Sequence, residues 1–152
     1  MTQEEQLKLS SQVCFPIYSV SRLLTKAYKP YLEKMGITYP QYLVLLVLWE
    51  KDSVTVNQIT EKLLLDTNTV SPLLKRMQLS GLILRNRCVN DERSVIVQLT
   101  DKAKELKKEA SSIPEKLLQV LLTATIELPD IIHLKELLEE WIDVLGERKP
   151  SK

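Results

Sequence analysis

Apolar residues recur at helical spacing through the first third of the chain. Between positions 7 and 26, Val13, Ile17, Val20 and Leu24 follow steps of four, three and four, which predicts an amphipathic helix. Cys14 and Tyr18 stand one turn apart on a neighbouring stripe. Pro16 has no backbone N–H and would clash with a helical carbonyl four residues back, so the helix either starts near Pro16 or kinks beside Cys14. A turn is expected around Lys29 and Pro30, and Gly36 fits a helix stop. Thr38, Pro40 and Gln41 form a capping-box start. The segment "QYLVLLVLWEK" that follows is apolar nearly all round, so that helix should be buried. After a polar break, "DSVTV", a short helix is expected from Val56 to Leu64. A second, capped by Asp66, runs from Thr67 to about Ser80 and ends at Gly81.

The period then changes. "LILRNRCV" and "SVIVQL" read as two short strands joined by "NDER", a hairpin with a charged tip. Helix returns at Thr100, and Pro114 and Pro129 punctuate the remainder. The last helix carries Ile131, Leu134, Leu138, Trp141 and Leu145 at heptad-like steps, a seam suited to packing on another helix of this chain or of a partner.

Composition narrows the class. A chain of 152 residues fits one domain, and 3 glycines among many Leu, Lys and Glu favour a mostly helical one. The net charge of +1 announces no polyanion partner, so any nucleic-acid surface must come from local clustering. No signal peptide or membrane span is evident, and a reduced, cytoplasmic protein is expected. With 2 cysteines and 1 histidine, His133, neither a disulfide scaffold nor a zinc cluster within one chain is expected; no metal or cofactor is assigned. His133, Trp49 and Trp141 read as ordinary solvated or packing residues.

The order helix, helix, hairpin is that of a winged helix-turn-helix, mainly α with a small β-hairpin wing. Such a lobe places its second helix in the major groove while the hairpin tip reaches the adjacent backbone or minor groove. Local charge agrees. From Thr67 to Arg93 five basic residues (Lys75, Arg76, Arg85, Arg87, Arg93) face two acidic ones (Asp91, Glu92), an excess above that of the whole chain. Thr67, Asn68, Thr69 and Ser71, together with Pro72, form the helix start and offer short donors and acceptors for bases and phosphates.

The stretch "DTNTVSPLLKRMQLSGLILRNRCVNDERSVIVQLTDKAKEL" resembles the DNA-binding lobe of the multiple-antibiotic-resistance (MarR) regulator family, including a "DxR" at Asp91 and Arg93. In that family the arginine enters the minor groove and the aspartate helps hold the wing. The N-terminal "QVCFPIYSVSRLLTKAYKPYLEKMGITYPQYLVLLVLWE" is similar to the organic-hydroperoxide-sensing branch. The resemblance implies a homodimer on an inverted-repeat operator in double-stranded DNA. The lobe would span about 38–100, with dimerisation helices over about 7–35 and 101–146 of a single 1–152 domain. It implies a repressor that leaves its operator on oxidation of Cys14. Tyrosines matching Tyr28 and Tyr39 would hydrogen-bond the sulfur across the dimer interface, with Tyr18 nearby.

On its residues alone Cys14 reads more simply as a small buried hydrophobe. The implied chemistry is nonetheless feasible. A free thiol titrates near 8.5, so a peroxide sensor must favour the thiolate. Two units correspond to about 2.7 kcal/mol. Two phenolic donors can supply that, since hydrogen bonds to charged groups contribute about 1.5–3 kcal/mol each. The thiolate then attacks peroxide to give a sulfenic acid, which condenses with a second thiol. Two features depart from the family pattern. Pro16 stands where an ordinary helix former is expected. Cys88 lies at the wing, and no cysteine lies in the C-terminal helices, so the oxidised sulfur is expected to meet a low-molecular-weight thiol of the cell. The main alternative is a regulator of the same fold that responds to a small aromatic or acidic ligand. An enzyme such as a thiol peroxidase, and a module binding only protein, are less favoured: no CxxC pair is present to turn an enzyme site over.

Overall fold

The computed structural model describes residues 2–87 and 94–146. Cys88, Asp91 and Arg93 lie outside the described residues. The chain forms two compact units, Met1–Ile113 and Pro114–Lys152.

The first unit opens with a one-turn helix, α1 (Gln3–Gln6), and a 3-10 turn at Leu9–Ser11. The long helix α2 (Cys14–Lys34) follows, so the helical spacing from Leu7 onward does not mean helix before Cys14. Pro16 is the third residue of α2. The N–H it lacks is one that a first turn leaves unpaired anyway, and the carbonyl four residues back belongs to the extended Gln12. Pro16 therefore starts the helix without kinking it.

The turn expected at Lys29-Pro30 is absent; α2 runs through Pro30 to Lys34. Pro30 deprives the Lys26 carbonyl of its helical donor, but Lys26 is exposed and water can replace it. Burial of Leu32, Met35 and Ile37 holds the last turn and its exit in place. Local propensity is overridden by packing. Gly36 then turns the chain at φ 68°.

Helix α3 (Tyr39–Glu50) begins with Gln41 Oε1 accepting from the Thr38 N–H at 2.9 Å. It buries Tyr42, Val44, Leu45, Val47 and Leu48, as its all-round apolar character predicts. The segment read as a polar break contains a two-residue strand, β1 (Val54–Thr55). Its signal is too short to see in a single sequence, because only a partner strand defines it. Helix α4 (Val56–Leu63) is closed by a full capping box from Thr55 and Gln58. Leu64 then adopts a left-handed conformation at φ 53° while 65% exposed.

Helix α5 (Thr67–Leu79) follows; Asp66 occupies its cap position, but its side chain makes no capping hydrogen bond. Strands β2 (Ile83–Arg87) and β3 (Val95–Leu99) pair antiparallel, with Arg85 opposite Val97. Strand β1 adds to the other edge of β3, giving the order β1-β3-β2. Asp52 Oδ1 accepts from the Ser53 and Leu99 N–H groups at 2.8 and 2.9 Å, tying the start of β1 to the end of β3. Helix α6 (Asp101–Ala110) is capped by Thr100, whose hydroxyl also donates to the Gly81 carbonyl.

The C-terminal unit is two helices, α7 (Ile113–Leu121) and α8 (Leu128–Gly146). Thr123 Oγ1 accepts from the Thr125 and Ile126 N–H groups in the turn between them, and Asp130 closes the start of α8 on the Glu127 N–H. No residue of α8 is buried. Along the seam, Leu134 is 54% and Leu145 69% exposed. No helix among the described residues is long and apolar enough to cross a membrane.

Candidate sensor and nucleic-acid surfaces

Cys14 is the first residue of α2, exposed and a free thiol. Tyr18 lies one turn on and is exposed, and the Arg22 guanidinium sits over its ring at 4.8 Å from the centroid. The other two predicted tyrosines stand elsewhere. Tyr28 on α2 and Tyr39 on α3 have ring centroids 4.9 Å apart. The buried Tyr42 completes a triangle with them at 5.7 and 6.3 Å, and its ring meets Trp49 edge-on at 6.2 Å.

One helix carries both Cys14 and Tyr28, fourteen residues apart. At 1.5 Å per residue that is about 21 Å, well beyond hydrogen-bond reach. Within one chain, then, the fold brings Tyr28 and Tyr39 together but leaves both remote from Cys14. Tyr18 alone of the three is within a turn of the sulfur.

Burial pushes the Tyr28 phenol above its ordinary value. Tyr39 is raised by burial and by Tyr28, and Tyr42 by burial and by both neighbours. All three are held as neutral phenols at physiological pH, the form that can donate a hydrogen bond. Beside them lies a cleft of about 450 Å³, whose lining includes Arg22, Lys26, Lys29 and Glu33 together with Leu32, Ile37 and Tyr39. Lys29 is paired with Glu33 at 3.5 Å. Tyr42 and Arg22 were not among the residues expected here. The spacing that could have found them is the three-residue step from Tyr39 and the four-residue step from Tyr18.

The candidate nucleic-acid surface lies on an amphipathic α5. Val70, Leu73, Leu74 and Met77 are buried. Thr67, Asn68, Thr69, Pro72, Lys75 and Arg76 are exposed and Ser71 is half-buried. Pro72 leaves the exposed Asn68 carbonyl without its helical donor. On β2, Arg87 is exposed, whereas Arg85 is half-buried and its Nε has neither solvent contact nor a hydrogen-bond partner. Among the described residues no group of three His, Cys, Asp or Glu side chains is placed to hold a metal ion.

A family described as "Transcriptional regulator SarA/Rot" matches residues 26–110. The organic hydroperoxide resistance transcriptional regulator of Bacillus subtilis (strain 168) is 50% identical over 114 residues, 75% of this chain and 78% of its own. The HTH-type transcriptional regulator MgrA of Staphylococcus aureus is 37% identical over 146 residues, 95% of this chain and 97% of its own. Among solved structures, reduced AbfR bound to DNA superimposes with a TM-score of 0.79 at 36% identity, covering 96% of this chain and 98% of that one.

Proposed function

The chain belongs to the winged-helix transcriptional regulators of the MarR and SarA/Rot type, and from that premise we propose that it is a dimeric repressor released from operator DNA when organic hydroperoxide oxidises Cys14. The observation that carries this reading is the 50% identity to a regulator named for organic hydroperoxide resistance, over a stretch three quarters as long as this chain. The placement of the thiol supports it: Cys14 is free, exposed and open to solvent-borne peroxide at the start of α2.

In this reading Tyr28 and Tyr39 of one protomer serve Cys14 of the other, since about 21 Å of helix separates Cys14 from Tyr28 within a chain. The thiolate attacks one peroxide oxygen. The O–O bond breaks, sulfur is oxidised to sulfenic acid, and the peroxide is reduced to an alcohol whose oxygen takes up a proton. A low-molecular-weight thiol then displaces water to leave a mixed disulfide. The apolar faces of α2 and α8 supply the dimer interface. Oxidation acts by favouring a dimer whose recognition helices no longer match major grooves about 34–36 Å apart. Arg93 and Asp91 serve the wing.

Replacing Cys14 by serine tests the proposal. The reduced variant should bind operator like the parent, stay bound under organic peroxide, and gain no oxygen or thiol adduct by intact mass. Release of Cys14→Ser by peroxide would sink it. A second reading, favoured by the cleft with Arg22, Lys26 and Tyr39 in its walls, is response to a small aromatic acid. Release by such a ligand, equal in parent and variant, would establish that reading instead. Steady consumption of peroxide with a thiol reductant, unaffected by operator, would mark an enzyme.

A further inference from the structure

The aromatic cluster does not end at its tyrosines. The buried Tyr42, packed against Tyr28 and Tyr39, also meets the Trp49 ring edge-on at 6.2 Å. Trp49 is half-buried and reaches away from the tyrosines: its indole Nε1–H donates to the Ala103 carbonyl at 2.9 Å. Ala103 is buried in the first turn of α6. A return bond closes the contact. The Ser53 N–H that would continue α3 onto the Trp49 carbonyl is turned to Asp52 Oδ1, and Lys107 Nζ donates to that carbonyl at 3.1 Å. One residue at the end of α3 is thus held twice by α6. The start of α6 is in turn bound to the base of the wing. Thr100 directly follows β3, and its N–H and hydroxyl donate to the Leu82 and Gly81 carbonyls at 3.1 and 2.7 Å, just beyond the end of α5.

Trp49 therefore has one edge on the tyrosine cluster and its N–H on the helix that leads out of the wing. A close-packed interior hardly compresses, so a shift of Tyr28 or Tyr39 passes through Tyr42 to the indole. The indole bond is directional, so a tilt of the ring either moves α6 or breaks the bond. We infer that Trp49 is the positioning residue through which the state of the Cys14 site reaches the wing. This rests on the sensor reading proposed above. There, the reduced sulfur holds the Tyr28 and Tyr39 hydroxyls, and an adduct on it displaces them.

The test compares the parent with Trp49→Phe, which keeps a ring against Tyr42 and removes the N–H. Operator affinity is measured by fluorescence anisotropy, on a fragment selected by the parent from a random pool. It is read before and after treatment with cumene hydroperoxide and free cysteine, and peptide mass follows the adduct on Cys14. The reduced variant should bind like the parent, and its Cys14 should be modified at the parent's rate. The ratio of reduced to oxidised affinity should shrink by roughly fivefold or more. A ratio equal to the parent's at equal modification would make Trp49 a brace only and overturn the inference. So would slower modification of Cys14 with the ratio unchanged. Should Trp49→Phe fail to fold by thermal melting, Trp141→Phe leaves Trp49 as the single tryptophan. Its emission should change as Cys14 is modified, and stay fixed when Cys14→Ser is added. Constant emission while the oxidised protein leaves its operator would overturn the inference. Failure of the parent itself to leave the operator once Cys14 is modified would instead overturn the sensor reading.

Discussion

The winged-helix lobe and the helices at the two ends of the chain are built to different degrees of completion. In the lobe, Ile59, Val70, Leu74, Met77, Ile83 and Val97 are each at most 1% exposed, and α4 and α6 have side-chain caps. One chain satisfies it. By contrast, α2 buries only Leu32, and Phe15, Val20 and Leu23 are 43, 48 and 61% exposed. Helix α8 buries nothing. A face of that kind is expensive to leave wet at roughly 25 cal/mol per Å². The lobe can therefore act as a reader on its own, while the terminal helices are the part whose arrangement a second protomer and, in the proposed function, the oxidation state of Cys14 would set.

The contrast can be broken most forcefully from the lobe side. Leu74→Ala removes a fully buried side chain from the recognition helix and should cost roughly 2–5 kcal/mol, a large share of a typical 5–15 kcal/mol. Urea denaturation should show it as a lower midpoint with loss of DNA binding. Trp141→Lys, on the exposed seam, should leave lobe stability nearly unchanged. It should weaken self-association by about 2 kcal/mol or more, roughly thirtyfold, by sedimentation. Equal damage to lobe stability would erase the distinction.

Tyr39→Phe sharpens the comparison at the sensor. Reaction of Cys14 with organic peroxide should slow by about tenfold or more if a phenolic hydrogen bond to the thiolate is lost. The same tyrosines give a pH signature. Their folded values lie above the unfolded value near 10, so their contribution to stability is complete below that pH. It is lost as pH rises through the folded values, so the melting temperature should fall above about pH 10, less steeply in Tyr39→Phe. The smallest effect is expected at Leu64. Relief of a left-handed leucine, worth about 1–2 kcal/mol, exceeds the cost of glycine, about 0.5–1 kcal/mol. Leu64→Gly should therefore raise the melting temperature by about 2 °C. Loss of DNA binding at unchanged stability would instead show that the exposed leucine contacts a partner.

Elements marked by local chemistry were legible without coordinates. The Thr38–Gln41 start of α3, the glycine stops at Gly36 and Gly81, the α4–α5 pair and both wing strands follow from caps, breakers and period. What escaped depends on distant neighbours. β1 exists only because β3 lies beside it. Pro30 is tolerated only because Leu32 and Met35 are buried beyond it.

The candidate site divides in the same way. Residue type and spacing single out the polar face of α5, a short-range pattern, whereas Cys14 and its tyrosines stand out only through the resemblance to the organic-hydroperoxide-sensing branch. The tertiary structure alone decided that Pro16 starts a helix, since that depends on the path of the chain before it. It alone placed Tyr42 against Tyr28 and Tyr39, and set the one helix that holds Cys14 away from Tyr28. Sequence specifies which groups have the chemistry; distance decides which of them can meet.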